Sequence, residues 1–325
     1  MYSKEELGFI LYNNRSVKGV VNNFLPKNIN QFKLIDLENR FSKIKEKYFT
    51  NKMVEVDMSE LDINEPDEIV TPIQLKEISD DIKHNIGLFN PTEYEYLINR
   101  GIGDNTIKDY SLLGLSSIKD KETLRRIGAT CHPVLRKFLV DGIEGGGIVF
   151  PLFKDDILIN CSIRKLSIEN SDQKTLKYSL ACPDLPVWGI DDIKEGDEVW
   201  VTEGIFDMIA LRNMGKNSVS CSSGMWSGLQ LYQLIEKKPS MIVIISDNDE
   251  VGFRTSAMLK DLFDTYNINS KTLVSKFAKD PAEHYFQKNR KIDEFEEIEI
   301  TNEMVISKND NSFNFINHIK NRNFN

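Results

Sequence analysis

From residue 197 onward the apolar and polar positions alternate between two periods. DEVWVT (197–202) is a β-rich run that Glu203–Gly204 ends, and FDMIALRNM (206–214) carries apolar residues at helical spacing, with Gly215 as the natural terminator. NSVSC (217–221) reads as a short strand, and a Ser/Gly turn leads into a helix over SGLQLYQLIEKK (227–238). MIVIIS (241–246) is an unbroken apolar run, as in a strand buried on both faces. VGFRTSAMLKDLFDTY (251–266) is helical, KTLV (271–274) is a strand, and PAEHYFQKN (281–289) is a last helix. Such alternation predicts an α/β unit, a parallel sheet with helices on both faces, whose chemistry sits at the carboxyl ends of the strands.

The preceding part is patterned less regularly. Asn90-Pro91-Thr92-Glu93 offers a cap, a first-turn proline and a first-turn acid, so a helix should start near Pro91 and run to Gly101. Gly145–Gly146–Gly147 turns into the strand IVFPLF, which Pro151 should end or place at an edge. ILINCSIRKL (157–166) is the next strand candidate. These features predict a mixed α+β region before the parallel sheet. EVDMSELDINEPDE (55–68) has seven acids and no base and reads as a linker. The boundaries expected are a segment of undefined role over 1–80, an α+β subdomain over 81–190, the parallel-sheet domain over 191–290 and a tail over 291–325.

Composition narrows the classes. The 325 residues carry a net charge of −9, no apolar run long enough for a membrane span, and an N-terminus whose acids do not suit a signal peptide. The expected location is cytoplasmic, with no membrane partner. The charge is uneven: residues 1–99 are net −5, residues 100–180 are net +3, and residues 181–325 are net −7. The basic stretch contains LRRIGATCHPVLRKFL (124–139) and the pair Arg164–Lys165, as a wall that holds a polyanion would. An ordinary solvated face has the same composition. The four cysteines, Cys131, Cys161, Cys182 and Cys221, lack CxxC spacing, so no zinc is expected.

The candidate chemistry lies at strand ends. Glu203 follows the first strand of the alternation, and Asp247 and Asp249 follow the long apolar strand. Three converging carboxylates repel one another unless a cation neutralises them. Oxygen-only donors call for a hard ion, Mg²⁺ or Mn²⁺. Asp207, one helical turn beyond Glu203, and Asp280 and Glu283 of KDPAE are further acids for the same ions. Ser222, Ser223 and Gly224 form a turn whose backbone amides suit a phosphate or nothing more than a loop.

The segments VTEGIFDMIAL, IISDNDEVGFRT and KDPAE resemble the TOPRIM domain in the form found in bacterial DNA primases and phage primase–helicases. YLINRGIGDNTIKDYSLLGL (96–115), FPLFKDDILINCSIRKL (150–166) and LKYSLACPDLPVWGI (176–190) resemble the stretches that precede it in those primases. The resemblance spans residues 90–290. It implies metal-binding, catalytic roles for Glu203, Asp247 and Asp249, with Asp207 and Asp280 as matching metal acids, and nucleotide or template contacts from Arg164, Lys177 and Tyr178. The implied activity is a DNA primase: a nucleotidyltransferase making short RNA primers from NTPs on single-stranded DNA, with a replicative helicase as partner and a phage-type replisome as setting. The chain departs from that pattern in three ways. It has no zinc-binding module and no GxxxxGK[ST] motor, and Gly147 stands where a basic residue often does. A TOPRIM nuclease and a non-catalytic replication factor are the alternatives.

Overall fold

A computed structural model describes residues 31–49, 72–120, 123, 146–166, 175–179, 187–221 and 226–300. The expected linker at 55–68, the basic run at 124–139, Cys131, Cys182 and the Ser222–Gly224 turn lie outside these residues. The chain divides into two compact units: residues 1–29 with 54–186, and residues 30–53 with 187–325. Helix α1 (Gln31–Tyr48) opens the described chain and belongs to the second unit.

The first unit holds α2 (Pro72–His84), α3 (Pro91–Asn99), α4 (Asp104–Asp109) and strands β1 (Leu113–Gly114), β2 (Gly147–Lys154), β3 (Ile157–Lys165) and β4 (Thr175–Ser179). The strands form one antiparallel sheet in the order β1-β2-β3-β4. Helix α3 starts where the sequence places it. Asn90 accepts from the Glu93 N–H at 2.8 Å, and the Glu93 carboxylate accepts from the Asn90 N–H at 2.9 Å, a reciprocal cap. Glu93 is fully buried, and its remaining acceptor capacity goes to the N–H groups of Ser116 and Gly147, each at 3.0 Å, and to the Ser116 hydroxyl. One carboxylate thus ties α3 to the turn after β1 and to the start of β2. The glycines around it make room. A Cβ at Gly114 would collide with that carboxylate, and one at Gly146 would meet it at 2.9 Å from a backbone with φ of +72°.

Pro151 does not end its strand. β2 runs on to Lys154, with Pro151 opposite Cys161 of β3. The tolerance has a local reason. β1 reaches only to Val149, so Pro151 has a ladder neighbour on one side alone, and a register irregularity follows between Leu152 and Phe153.

The second unit contains β5 (Glu198–Thr202), α5 (Ile205–Asn213), β6 (Ser218–Ser220), α6 (Gly228–Glu236), β7 (Met241–Ser246), α7 (Glu250–Thr265), β8 (Ser270–Ser275), a wide turn of helix over Glu283–Gln287, and β9 (Phe295–Ile298). Its sheet has the order β6-β5-β7-β8-β9. The first four strands are parallel, and β9 is antiparallel to β8. The sequence pattern alone assigns β9 to the tail. FEEI is short and half charged, and it pairs at the sheet edge, where an apolar alternation is not required.

The chain leaves β5 toward β6 on one side and β7 toward β8 on the other. Right-handed crossovers in opposite directions put α5 and α7 on opposite faces. Trp200, Val243, Ile245 and Leu273 pack with Leu211 of α5 in one core cluster, and Phe253 of α7 packs with Val274 in another. This two-sided burial explains why MIVIIS is apolar without alternation. Helix α1 packs on α6 and α7. Polar links fasten it: Lys47 and Tyr48 to Asp261 at 2.8 and 2.6 Å, and Tyr266 to Asp36 at 3.2 Å.

Candidate active site

The direction of the chain reverses between β5 and β7. In an open parallel sheet the crevice beyond the carboxyl ends of the strands lies at such a point. Glu203 follows β5 there and Asp247 follows β7. The motif glycines are explained by the same geometry. Gly204 caps α5, and a Cβ on it would collide with the Asp207 carboxylate. A Cβ on Gly252 would strike the Asp247 backbone carbonyl, so the turn between Asp247 and Gly252 closes only with glycine at its end.

Asp249 is the N-cap of α7 and accepts from the Gly252 N–H at 2.9 Å. Its other oxygen is 2.9 Å from the Lys279 ammonium. The Lys279 backbone is tied on both sides. Its N–H donates to Glu283 at 2.7 Å, and its carbonyl accepts from the Asn248 N–H at 2.7 Å, between the two aspartates. Asp280 accepts from the Glu283 N–H at 2.7 Å, and Asp207 accepts from the Ala282 N–H at 3.0 Å. KDPAE is therefore a docked helix start, joined to both acid-bearing turns. Ser275 and His284 support it from below. The Ser275 hydroxyl accepts from the N–H groups of Phe277 and Ala278, leaving its proton for His284 Nδ1 at 2.7 Å, while Nε2 faces the Lys291 carbonyl at 2.8 Å. That network fixes a neutral imidazole protonated at Nε2.

The acids do not ionise alike. Burial, then the charge of Asp247, pushes Glu203 up to about 8, against partial relief from the Thr255 hydroxyl and Lys279. Burial, then Asp280 and Asp249, pushes Asp247 up to about 7. Burial with the charges of Asp280, Asp247 and Glu203 raises Asp207 strongly. Asp249 goes the other way. Its burial is outweighed by the Gly252 N–H and by Lys279, and it stays below the usual carboxylate range.

The structure thus gathers Glu203, Asp207, Asp247, Asp249 and Asp280 in one electrostatically coupled cluster. Glu283 stands apart, both its oxygens being engaged, one by the Lys279 N–H and the other by the Lys288 ammonium at 3.0 Å. Among the described residues no three His, Cys, Asp or Glu side chains converge closely enough to hold a metal ion as they stand. The donor set still fits a hard divalent cation. It offers only carboxylate oxygens, and its members repel one another, which a cation relieves. Arg164 lies on β3 opposite Thr175 of β4, and Lys177 and Tyr178 lie on β4 opposite Ser162 and Cys161, all in the first unit. Cys161 and Cys221 are buried in different units, and burial pushes the Cys161 thiol up to about 12. Sequence reasoning assigns no role to Lys279, Ser275 or His284. Lys279 is within its reach, because a lysine beside an acid cluster is a natural counter-ion. The other two depend on contacts that no local pattern displays.

A Toprim-like family model matches residues 200–285. Those residues form a Toprim-like domain. A DNA primase of Campylobacter jejuni is 29% identical over 93 residues, and the match spans 29% of this chain and 15% of that primase. The RNA polymerase domain of Mycobacterium tuberculosis primase DnaG, solved in complex with double-stranded DNA, aligns with a TM-score of 0.50 at 16% identity, covering 67% of this chain and 77% of that one. The Escherichia coli primase catalytic core aligns with a TM-score of 0.49 at 16% identity, covering 68% and 76%. The chain shares the fold of the mycobacterial domain: a Toprim-like parallel sheet preceded in sequence by a mixed α+β unit. No helix of the described residues is long and apolar enough to cross a membrane.

Proposed function

We propose that this chain is the catalytic core of a DNA primase, joining ribonucleotides into short RNA primers on single-stranded DNA during replication, in a phage-type replisome. The carboxylate cluster at the chain reversal carries the reading, with its Glu-Gly, Asp-x-Asp-x-x-Gly and Lys-Asp-Pro-x-Glu elements in order on a Toprim-like sheet. The match to a bacterial primase supports it. Bound Mg²⁺ or Mn²⁺ would supply activation of a 3′-hydroxyl and neutralisation of the charge that develops as pyrophosphate leaves. Glu203, Asp247 and Asp249 would hold the ions, with Asp207 and Asp280 behind them. Gly204 and Gly252 leave room for Asp207 and for the turn that carries Asp247. Arg164 and Lys177 would take phosphates by charge-assisted hydrogen bonds, and Tyr178 would stack on a base. A replicative helicase would bring the template.

The test is incubation with single-stranded DNA, labelled NTPs and Mg²⁺, resolved on a gel. RNA oligomers that require template and NTPs are the expected product. Metal-dependent shortening of the DNA without NTP incorporation would identify a nuclease instead.

A further inference from the structure

The ammonium of Lys279 stands 2.9 Å from Asp249, on the oxygen that the helix cap leaves over. Both backbone ends of Lys279 are pinned, to Glu283 and to Asn248, while its side chain remains 58% exposed. The backbone of this residue therefore cannot leave the site, but its charged end can move. An ion pair this open to water is weak and exchanges readily, in contrast to a buried one.

We infer that Lys279 is a resident counter-ion of the acid cluster, which yields Asp249 to a divalent cation and, still tethered beside it, then pairs with a phosphate of the bound nucleotide. The inference deepens the proposed active site and rests on that reading for the identity of the phosphate. The chemistry follows from the geometry. A divalent cation that takes this oxygen of Asp249 competes with the ammonium for its charge. Once displaced, a lysine on a four-carbon stem reaches only the immediate surroundings of the metal, and there the triphosphate is the anion to be neutralised. The exchange also explains why the carboxylates do not converge on a metal position as they stand: Asp249 is turned to its cap and to Lys279.

The experiment uses the full chain with Lys279→Met, which keeps the stem and removes the charge, and Lys279→Arg, which keeps the charge. Mn²⁺ binding is measured by calorimetry without nucleotide. Lys279→Met should bind Mn²⁺ about tenfold more tightly than the wild type, because a competing cation is gone. In an Asp249→Asn background the same change should have little effect, the two residues acting through each other. Pyrophosphate, titrated with Mn²⁺ saturating, should bind about tenfold more weakly to Lys279→Met and nearly normally to Lys279→Arg. Unchanged Mn²⁺ affinity in Lys279→Met overturns the exchange, and unchanged pyrophosphate affinity overturns the transfer to phosphate. Neither readout involves template or primer, so failure of primer synthesis leaves them standing and their failure leaves primer synthesis untouched.

Discussion

Glu93 in the first unit and Asp247 in the second are both carboxylates withdrawn from water, and the protein treats them in opposite ways. Glu93 is surrounded by donors: N–H groups of Asn90, Ser116 and Gly147, and the Ser116 hydroxyl. No acid presses on it in these contacts, and three chain segments are held by it. Asp247 is surrounded by acids, and burial with the charges of Asp280 and Asp249 holds it up at about 7. A buried carboxylate that is fully hydrogen-bonded serves the fold. A cluster of carboxylates whose repulsion is left in place costs stability, which the proposed metal role would account for. Substitution should separate the two cases by where the damage appears.

The largest effect is expected at the carboxylate cluster. Asp247→Asn should lower primer synthesis about a thousandfold or more, the loss of several kcal/mol of transition-state stabilisation that a displaced metal ligand entails. The fold should survive, because asparagine keeps the size and removes a repelling charge. In EDTA at pH 8, Asp247→Asn should melt no lower than the wild type. Asp249→Asn should also abolish synthesis, and asparagine remains a good helix cap. It loses the Lys279 ion pair, however, so no gain in melting temperature should accompany it. Near-normal primer synthesis by both variants would sink the metal-site reading.

Glu93→Ala should do the reverse. It strands N–H groups at three places, the one at Gly147 buried, and a destabilisation of ~3 kcal/mol is expected. Chemical denaturation would measure it, and hydrogen exchange at the Ser116 and Gly147 amides would locate it in the first unit. A variant as stable as the wild type would show that water or neighbours replace the carboxylate.

This contrast is only half visible in the sequence. The parallel-sheet unit is legible because its information is local: strand, Glu-Gly, helix, and strand, Asp-x-Asp-x-x-Gly, helix lie over 198–213 and 241–265. Glu203, Asp247 and Asp249 stand out for that reason. Glu93 reads as an ordinary first-turn acid, since its partners at Ser116 and Gly147 are 23 and 54 residues away. Helix α1 escapes detection for the same reason, because what orders it is packing on α6 and α7. The sequence leaves open whether Pro151 ends β2 or sits at an edge, because that depends on how far β1 extends beside it; β1 stops short and Pro151 sits at an edge.

A third, smaller effect follows from pH. Glu203 and Asp247 lie at about 8 and about 7 in the folded protein, against a usual value near 4 unfolded. The folded state thus holds more protons between those limits, so stability is full below about pH 4 and falls as pH rises toward 8. In EDTA the melting temperature should fall by ~5 °C or more across this range, and Mg²⁺ added at pH 8 should restore it. Asp247→Asn should flatten the profile. A melting temperature that rises with pH in EDTA would contradict the repulsive cluster.

The smallest effect concerns the first unit's own binding role. Arg164 and Lys177 stand on neighbouring strands, at different positions of the register: Arg164 faces Thr175 while Lys177 faces Ser162. They lie in the one basic third of the sequence and match the primase pattern, but nothing in the acid cluster depends on them. If they grip phosphates of a single strand, each alanine substitution should lower the slope of log affinity against log salt by about 0.7, as expected when one fewer phosphate is neutralised. Mn²⁺ affinity should not change, because these residues act on the polyanion and not on the metal acids. Filter binding of an oligothymidylate across a series of salt concentrations would measure the slope. A variant with reduced Mn²⁺ affinity and an unaltered salt slope would place Arg164 or Lys177 in support of the metal site and remove it from the template path.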